Sequence, residues 1–403
     1  MELRDYQQEI AQKGATILNN YGIVYLAMEV RTGKTLTALE IAKLHNAKNV
    51  LFLTKKKAIT SILSDYSAFG YNYNLTVINN ESMHKIDGDF DLVIHDESHR
   101  FGSFPKPSKN AKYFKTRFDK LPLILLSGTP TPESFSQIYH QLWISRKSPF
   151  KEWTNFYSWA KSFVTVKQKH LGYAKVNDYS DADKVQIDSY ISKIMLRYTQ
   201  KEAGFSSTIK ECILGVQMNE RTYNMVKTLK KDKLIQGKNE VILADTGAKE
   251  MQKIHQLFSG TIKFESGKTM ILDTSKADFI KQHFEGKKIA IFYKFVAEPE
   301  MLKNVFGDSL TTEVDEFNET NKNIALQIVS GREGISLKAA EYIVYLNIDF
   351  SATSYWQSRD RMTTKDRQNN TVFWIFAENG IETKIYKAVH EKKNYTLKHY
   401  KND

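Results

Sequence analysis

The sequence predicts an α/β protein of two lobes, each a largely parallel sheet flanked by helices, with a helical insertion between them. Three observations carry that expectation. Apolar, β-branched runs alternate with longer helix-compatible stretches over residues 21–145, and a second alternating block begins near residue 206. Strands of a sheet covered on both faces read as continuous apolar runs, and the βαβ alternation makes that sheet parallel. Several first-block runs end in polar residues, as expected where ligands gather outside the carboxyl edge of an open sheet. At 403 residues the chain exceeds one ordinary core, given roughly 150 residues per domain.

The first lobe is expected over 1–145, with strands in GIVYLAM (22–28), KNVLFLT (48–54), LTVIN (75–79), DLVIHDE (91–97) and PLILLSG (122–128). From 146 to 205 the pattern turns aromatic and Lys-rich, as in PFKEWTNFYSWAKSF (149–163), and is expected to be a helical insertion or hinge. Trp153, Phe156, Tyr157 and Trp159 sit at helical spacing, which favours a core face over a base-stacking platform. The second lobe, 206–403, is expected to contain strands in KTMILDT (268–274), KKIAIFY (287–293), IALQIVSG (324–331), YIVYLNI (342–348) and TVFWIFA (371–377). From Glu382 onward the chain reads as a basic helix without an obvious acidic counterface. Two α/β halves of similar size suggest a duplication.

Composition narrows the function. A formal net charge of +12 and an isoelectric point near 9.3 draw the surface to polyanions, with nucleic acid first. A solvated basic surface from a Lys- and Asn-rich genome explains the charge equally well, so motifs must decide. Cys212 is the only cysteine, which excludes an intramolecular disulfide and a multi-cysteine zinc site and fits a reducing compartment. No apolar run reaches the ~18 residues that span a bilayer. A soluble, cytoplasmic protein is therefore expected, not membrane-bound, and taken to be a monomer. The small size and the Asn/Lys-rich composition are consistent with a phage origin.

Residues 28–35 read MEVRTGKT, between a strand and the helix-compatible LTALEIAKLH. Thr32, Gly33, Lys34 and Thr35 match the end of a phosphate-binding loop, although Met28 stands where the strict pattern has glycine. In such a loop the backbone N–H groups at a helix start attract phosphate, the lysine reaches the β/γ-phosphates and the hydroxyl binds Mg²⁺. Some sixty residues later DLVIHDESHR (91–100) ends a strand in Asp96 and Glu97. An NTPase needs one carboxylate there to hold Mg²⁺, and a second polarises the attacking water. His95 and His99 at i, i+4 invite a metalloprotease reading, but that chemistry needs H-E-x-x-H on a helix, and here Glu does not follow the first His.

With these residues in place, the chain resembles a superfamily 2 helicase-type ATPase, and within it the Snf-type branch of DNA translocases. LRDYQ (3–7) resembles the Q motif, LAMEVRTGKTLTAL (26–39) motif I, LFLTKKKAI (51–59) motif Ia, DESH (96–99) motif II of the DExH kind and LSGTPT (126–131) motif III. IMLRYTQKEAG (194–204) resembles the segment closing the first lobe; SGKTMILD (266–273), IAIFYKF (289–295) and residues 326–361 follow the second lobe's motifs in order. The resemblance implies two RecA-like P-loop lobes that close on ATP and Mg²⁺ and move along DNA, duplex and contacted at its backbone with little sequence specificity.

The resemblance also distributes roles. Arg4 and Gln7 read the nucleotide with Thr32, Gly33, Lys34 and Thr35; Thr35 and Asp96 hold Mg²⁺; Glu97 is the catalytic carboxylate. Gln357 and Arg361 complete catalysis from the second lobe, Ser127 and Thr129 couple hydrolysis to movement, and Thr54, Lys55, Lys56, Lys294, Ser330 and Arg332 contact the nucleic-acid backbone. Two departures stand out: Val30 and Arg31 replace a glycine-containing segment of motif I, and Met362, Thr363 and Thr364 follow Arg361 where the family has a second arginine. Arg332 and Arg367 are the candidates to replace it. A strand-separating DNA or RNA helicase and a slow-turnover ATP-gated DNA clamp are the alternatives.

Overall fold

The computed structural model describes residues 2–171, 174–204, 209–237, 239–328, 337, 339–359, 371–391, 395–396 and 399–400. The chain divides into two compact units, Met1–Phe205 and Ser206–Asp403. Each is an α/β unit on a six-stranded parallel sheet.

In the first unit the strands are β1 (Ile23–Met28), β2 (Asn49–Thr54), β3 (Asn74–Asn79), β4 (Leu92–His95) and β5 (Leu123–Leu126), then a hairpin β6 (Lys167–Leu171) and β7 (Ala174–Asp178), then β8 (Met195–Tyr198). The sheet order is β3-β2-β4-β5-β1-β8. Period-2 alternation divides each strand between two cores. Ile23, Tyr25, Leu51, Leu53, Val93 and Leu125 face one, whereas Val24, Leu26, Val50, Phe52, Ile94 and Leu126 face the other. Helices α1 (Asp5–Tyr21), α2 (Lys34–Leu44) and α3 (Ile59–Ala68) cover the second core; α4 (Lys109–Phe118), α5 (Ile138–Trp143), α6 (Phe156–Phe163) and α7 (Lys184–Ile191) cover the first. All four site-bearing strands, β1, β2, β4 and β5, therefore end on one edge.

The stretch expected as a helical insertion is part of this unit. Its aromatic face is what covers the sheet: Phe156, Trp159, Ala160 and Phe163 are buried in the first core. Deleting an indole such as that of Trp159 costs about 3–5 kcal/mol. β8 then pairs with β1 from Tyr25↔Met195 to Met28↔Tyr198 and ends the sheet. The core reading of the aromatics holds for Phe156 and Trp159, while Tyr157 is exposed.

The second unit has β9 (Lys210–Val216), two small hairpins, β10 (Leu234–Gln236) with β11 (Val241–Leu243) and β12 (Thr261–Lys263) with β13 (Thr269–Ile271), then β14 (Ile289–Tyr293), β15 (Leu310–Thr311), β16 (Asn323–Gln327), β17 (Tyr342–Tyr345) and β18 (Thr371–Ala377). Its sheet order is β15-β16-β14-β17-β18-β9. One correction follows: KTMILDT contributes β13, which pairs antiparallel with β12 and stays out of the main sheet. The edge place is taken by β9, paired with β18 along seven residues from Lys210 to Val216. Helices α8 (Glu220–Asp232) and α9 (Gly247–Phe258) pack on one face, α10 (Ser275–His283) and α11 (Glu298–Phe306) on the other. The helix Glu382–His390 is docked rather than free, because Ile385, Ala388 and Val389 are buried in the core. Among the described residues no helix is long and apolar enough to cross a membrane.

Candidate nucleotide site on the first unit

The edge where β1, β2, β4 and β5 end gathers most of the expected site residues. Met28 is fully buried as the last residue of β1, so the loop begins only at Glu29. The loop is a tight turn. Thr32 donates its hydroxyl to the Glu29 carbonyl at 2.7 Å, and Lys34 Nζ donates to the same oxygen at 3.2 Å. Arg31 has φ +64° and Gly33 φ +82°. Gly33 needs to be glycine on two grounds: its left-handed backbone, and a Cβ there would lie 1.9 Å from Gln7 Nε2.

The start of α1 braces this loop. Gln7 accepts from the Arg4 amide at 3.0 Å and donates to the Gly33 carbonyl at 3.4 Å; Tyr6 donates to the Thr32 carbonyl at 3.2 Å. Arg4 itself is exposed, with Nη1 3.1 Å from the Tyr6 hydroxyl. From the other side the chain after β8 closes in. Gln200 donates its amide to Glu29 Oε2 at 2.7 Å and Nε2 to the Val30 carbonyl at 2.9 Å, while Tyr6 stacks on Tyr198 with centroids 4.8 Å apart. Sequence reasoning missed Gln200, Glu29 and Tyr198 as loop supports. The only signal was that Tyr198 and Gln200 lie within the segment 194–204 already set apart by its motif.

Asp96 follows β4 and accepts from Thr54 Oγ1 at 2.9 Å and from the Glu97 amide at 2.9 Å. Both donors are neutral. Burial raises the Asp96 pKa first and the Glu97 charge adds to it, so it is pushed up to about 6. Glu97 stands in the left-handed region at φ +53°, costly for a residue with a side chain and typical of functional positions. Its carboxylate lies 3.6 Å from Lys55 Nζ and 3.2 Å from His99 Nδ1. Burial opposes ionisation of Glu97, but His99, Lys55 and Lys34 outweigh it and its pKa falls to about 2. Desolvation lowers the Lys34 pKa, with Glu97, Asp96 and Glu29 pulling it back.

His99 Nδ1 also lies 3.0 Å from Ser127 Oγ, which accepts from the Thr129 amide at 3.1 Å. Motif II is thereby joined to the loop after β5 through one imidazole. The Thr129 hydroxyl oxygen is buried without a hydrogen-bond partner. His95 is a core residue: it stacks on Phe101 with centroids 4.1 Å apart, meets Asn80 Oδ1 at 3.0 Å, and burial drives its pKa down to about 3. That is what the mismatch with a zinc motif anticipated.

The expected nucleic-acid contacts fare differently. Thr54 is fully buried with its hydroxyl given to Asp96, so it supports the carboxylate and offers nothing to a backbone phosphate. Lys55 is turned toward Glu97, and Lys56 is exposed in the turn Lys56–Ala58. In the second unit Lys294 is held by Asp349 at 2.8 Å and lies 3.9 Å from the Phe350 ring centroid. Ser330, Arg332, Arg361 and Arg367 lie outside the described residues, as does the side chain of Gln357, whose backbone is in the helix Ala352–Arg359.

One family model matches the chain, that of the SNF2-related domain, over residues 34–268. The match takes in Lys34, the Asp96–Glu97 pair and the loop after β5. No curated protein matches the chain.

Proposed function

The chain belongs to the SNF2-related family, and from that premise we propose that it couples ATP hydrolysis to translocation along duplex DNA. Members of this family are nucleic-acid-dependent ATPases, and that general activity is the ground on which the finer reading stands. The observation that supports it most is the pair at the end of β4. One carboxylate, Asp96, meets only neutral donors, and the next, Glu97, is held ionised by Lys55 and His99.

In this reading Lys34 leaves the Glu29 carbonyl for the phosphates, which the amides from Thr32 to Thr35 surround. The fit of this edge to Mg²⁺ rests on its chemistry: a buried carboxylate without a cation in contact, with the hydroxyl of Thr35 at the start of α2 as the second oxygen, is the hard oxygen set the ion takes. Bound there, the ion would neutralise phosphate charge. Glu97 orients and deprotonates water, and His99 with Ser127 passes its state to residues 127–129. Gln7 sits against the loop where adenine is read in this family. Arg361 and Gln357 carry their catalytic roles by motif.

Steady-state hydrolysis without nucleic acid, then with single-stranded DNA, duplex DNA and RNA, tests the proposal. Strong stimulation by duplex is expected. Stimulation only by single strands would replace it with strand separation, and binding with negligible turnover would replace it with a clamp. Lys34→Ala should abolish turnover with an unchanged melting profile.

A further inference from the structure

The first unit carries a second charged surface, at the opposite edge of its sheet. A cavity of about 1060 Å³ opens beside Gly22 and Pro122, the residues just before β1 and β5, and is lined by Lys120, Arg146, Lys147, Lys151 and Lys193. Among the described residues no carboxylate lines it. Arg146 is paired with Asp119 at 2.7 Å; among the described residues the four lysines have no ion-pair partner. An adjoining concavity of about 340 Å³ shares Lys120 and Arg146 and adds Arg117, with Asp89 and Asp119 as its acids. The two meet at Lys120 and Arg146 and form one concave path at the amino edge.

Like charges lining one hollow repel, whereas a surface built only for solubility intersperses both signs. Together the two hollows, of about 1060 and 340 Å³, exceed the roughly 300–1,000 Å³ typical of a small-ligand pocket. Duplex DNA carries about one charge per 1.7 Å of axis, and flexible ammonium groups hold such a backbone as point charges without reading sequence. A planar lipid surface does not enter a hollow. We propose that this amino-edge path is a second contact for the nucleic-acid backbone, separate from the nucleotide-bearing edge.

The test is the full chain with K120Q/K147Q/K151Q/K193Q, measured by fluorescence anisotropy with a labelled duplex across a salt series. Each lost phosphate contact removes about 0.9 from the slope of log affinity against log salt, so losing all four should lower the slope by about 3.6 and low-salt affinity by at least about 10-fold. The matching four-arginine variant should keep the wild-type slope. An unchanged slope in the glutamine variant, an equal loss in the arginine variant, or loss of binding only to phosphatidylserine vesicles would each overturn the proposal. Duplex-stimulated hydrolysis by the wild type is read alongside: if stimulation is absent while the slopes differ, the translocase reading falls and this surface stands.

Discussion

Asp96 and Asp349 each follow a strand, β4 and β17, on the carboxyl edge of a six-stranded parallel sheet, yet they are treated in opposite ways. Asp96 meets a hydroxyl and an amide, and burial pushes it up to about 6. Asp349 is also buried, but Lys294 at 2.8 Å more than offsets that and holds its carboxyl below the usual range. The neighbours of Asp349 are partnered too, Glu298 by neutral donors alone and Glu382 by a lysine. Asn347 donates to Glu298 at 2.8 Å, Glu298 accepts the amides of Lys294 and Phe295 at 2.6 Å each, and Lys276 pairs with Glu382 at 2.5 Å, both nearly inaccessible. Strand topology brings polar groups to the edge of either sheet; whether they await a ligand depends on whether the protein has already partnered them. Asp96 is left without a cation in contact, whereas Asp349 and Glu382 each hold a lysine; Glu298, buried on neutral donors with its pKa raised by burial, is the second edge's nearest counterpart to Asp96.

The largest effect that would sharpen this contrast is chemical. Glu97→Gln keeps the shape but removes the base, and such groups contribute about 10²–10⁴ in rate. Nucleic-acid-stimulated hydrolysis should drop by that much while thermal melting stays within a degree or two of wild type. Near-normal turnover would mean that the first edge is not the catalytic one.

On the second edge the expected loss is in stability. Lys276→Met strands a buried carboxylate and should cost about 3–5 kcal/mol in a urea titration, whereas Lys276→Met with Glu382→Leu should recover most of it, since replacing both partners of a buried pair is often neutral. A single-variant cost below about 1 kcal/mol would show that water reaches the pair and that the edge is not sealed.

Acid should trouble both units through buried histidines. Burial first, and then Lys294 and Lys276, hold His255 well below its usual value; in the first unit burial takes His95 to about 3 and His140 to about 4. In each case the unfolded chain binds a proton below pH ~6.5 that the folded chain refuses, so stability is full above that pH and declines as pH falls through 6 and 5. His255→Leu should flatten that decline for the second unit alone, followed by denaturant midpoints at pH 7.5 and 5.5. Equal slopes in variant and wild type would mean that His255 is protonated in the fold.

Much of this was legible. Nine of the ten apolar runs read as strands lie in the two main sheets because fully covered parallel strands leave an unbroken apolar signature. β13 misled because TMIL is apolar enough for a core strand, yet it forms a small hairpin with β12. β9 escaped notice because an edge strand keeps an alternating, half-exposed pattern, as Glu211 and Ile213 show. In the site, Lys34, Asp96 and Glu97 announce themselves by chemistry. The support Thr54 gives Asp96 was not legible, because its place at a strand end is visible in the sequence while the direction of its hydroxyl is not. Gln200 is 170 residues from Val30, and only the pairing of β8 with β1 brings them together.

The smallest expected effect concerns Arg31, which holds φ +64° where a glycine would be at ease. The left-handed backbone costs a side-chain-bearing residue roughly 1–2 kcal/mol, and glycine gives back roughly 0.5–1 kcal/mol through the greater freedom of the unfolded chain. On backbone terms alone Arg31→Gly should therefore gain between about zero and about 1.5 kcal/mol. Gly33→Ala, two residues on, must move Gln7 as well as accept the strain, and its melting temperature should clearly fall. If Arg31→Gly were instead the more damaging of the two, the turn would depend on the arginine side chain, and the loop of the first edge would be partnered as fully as the charges of the second.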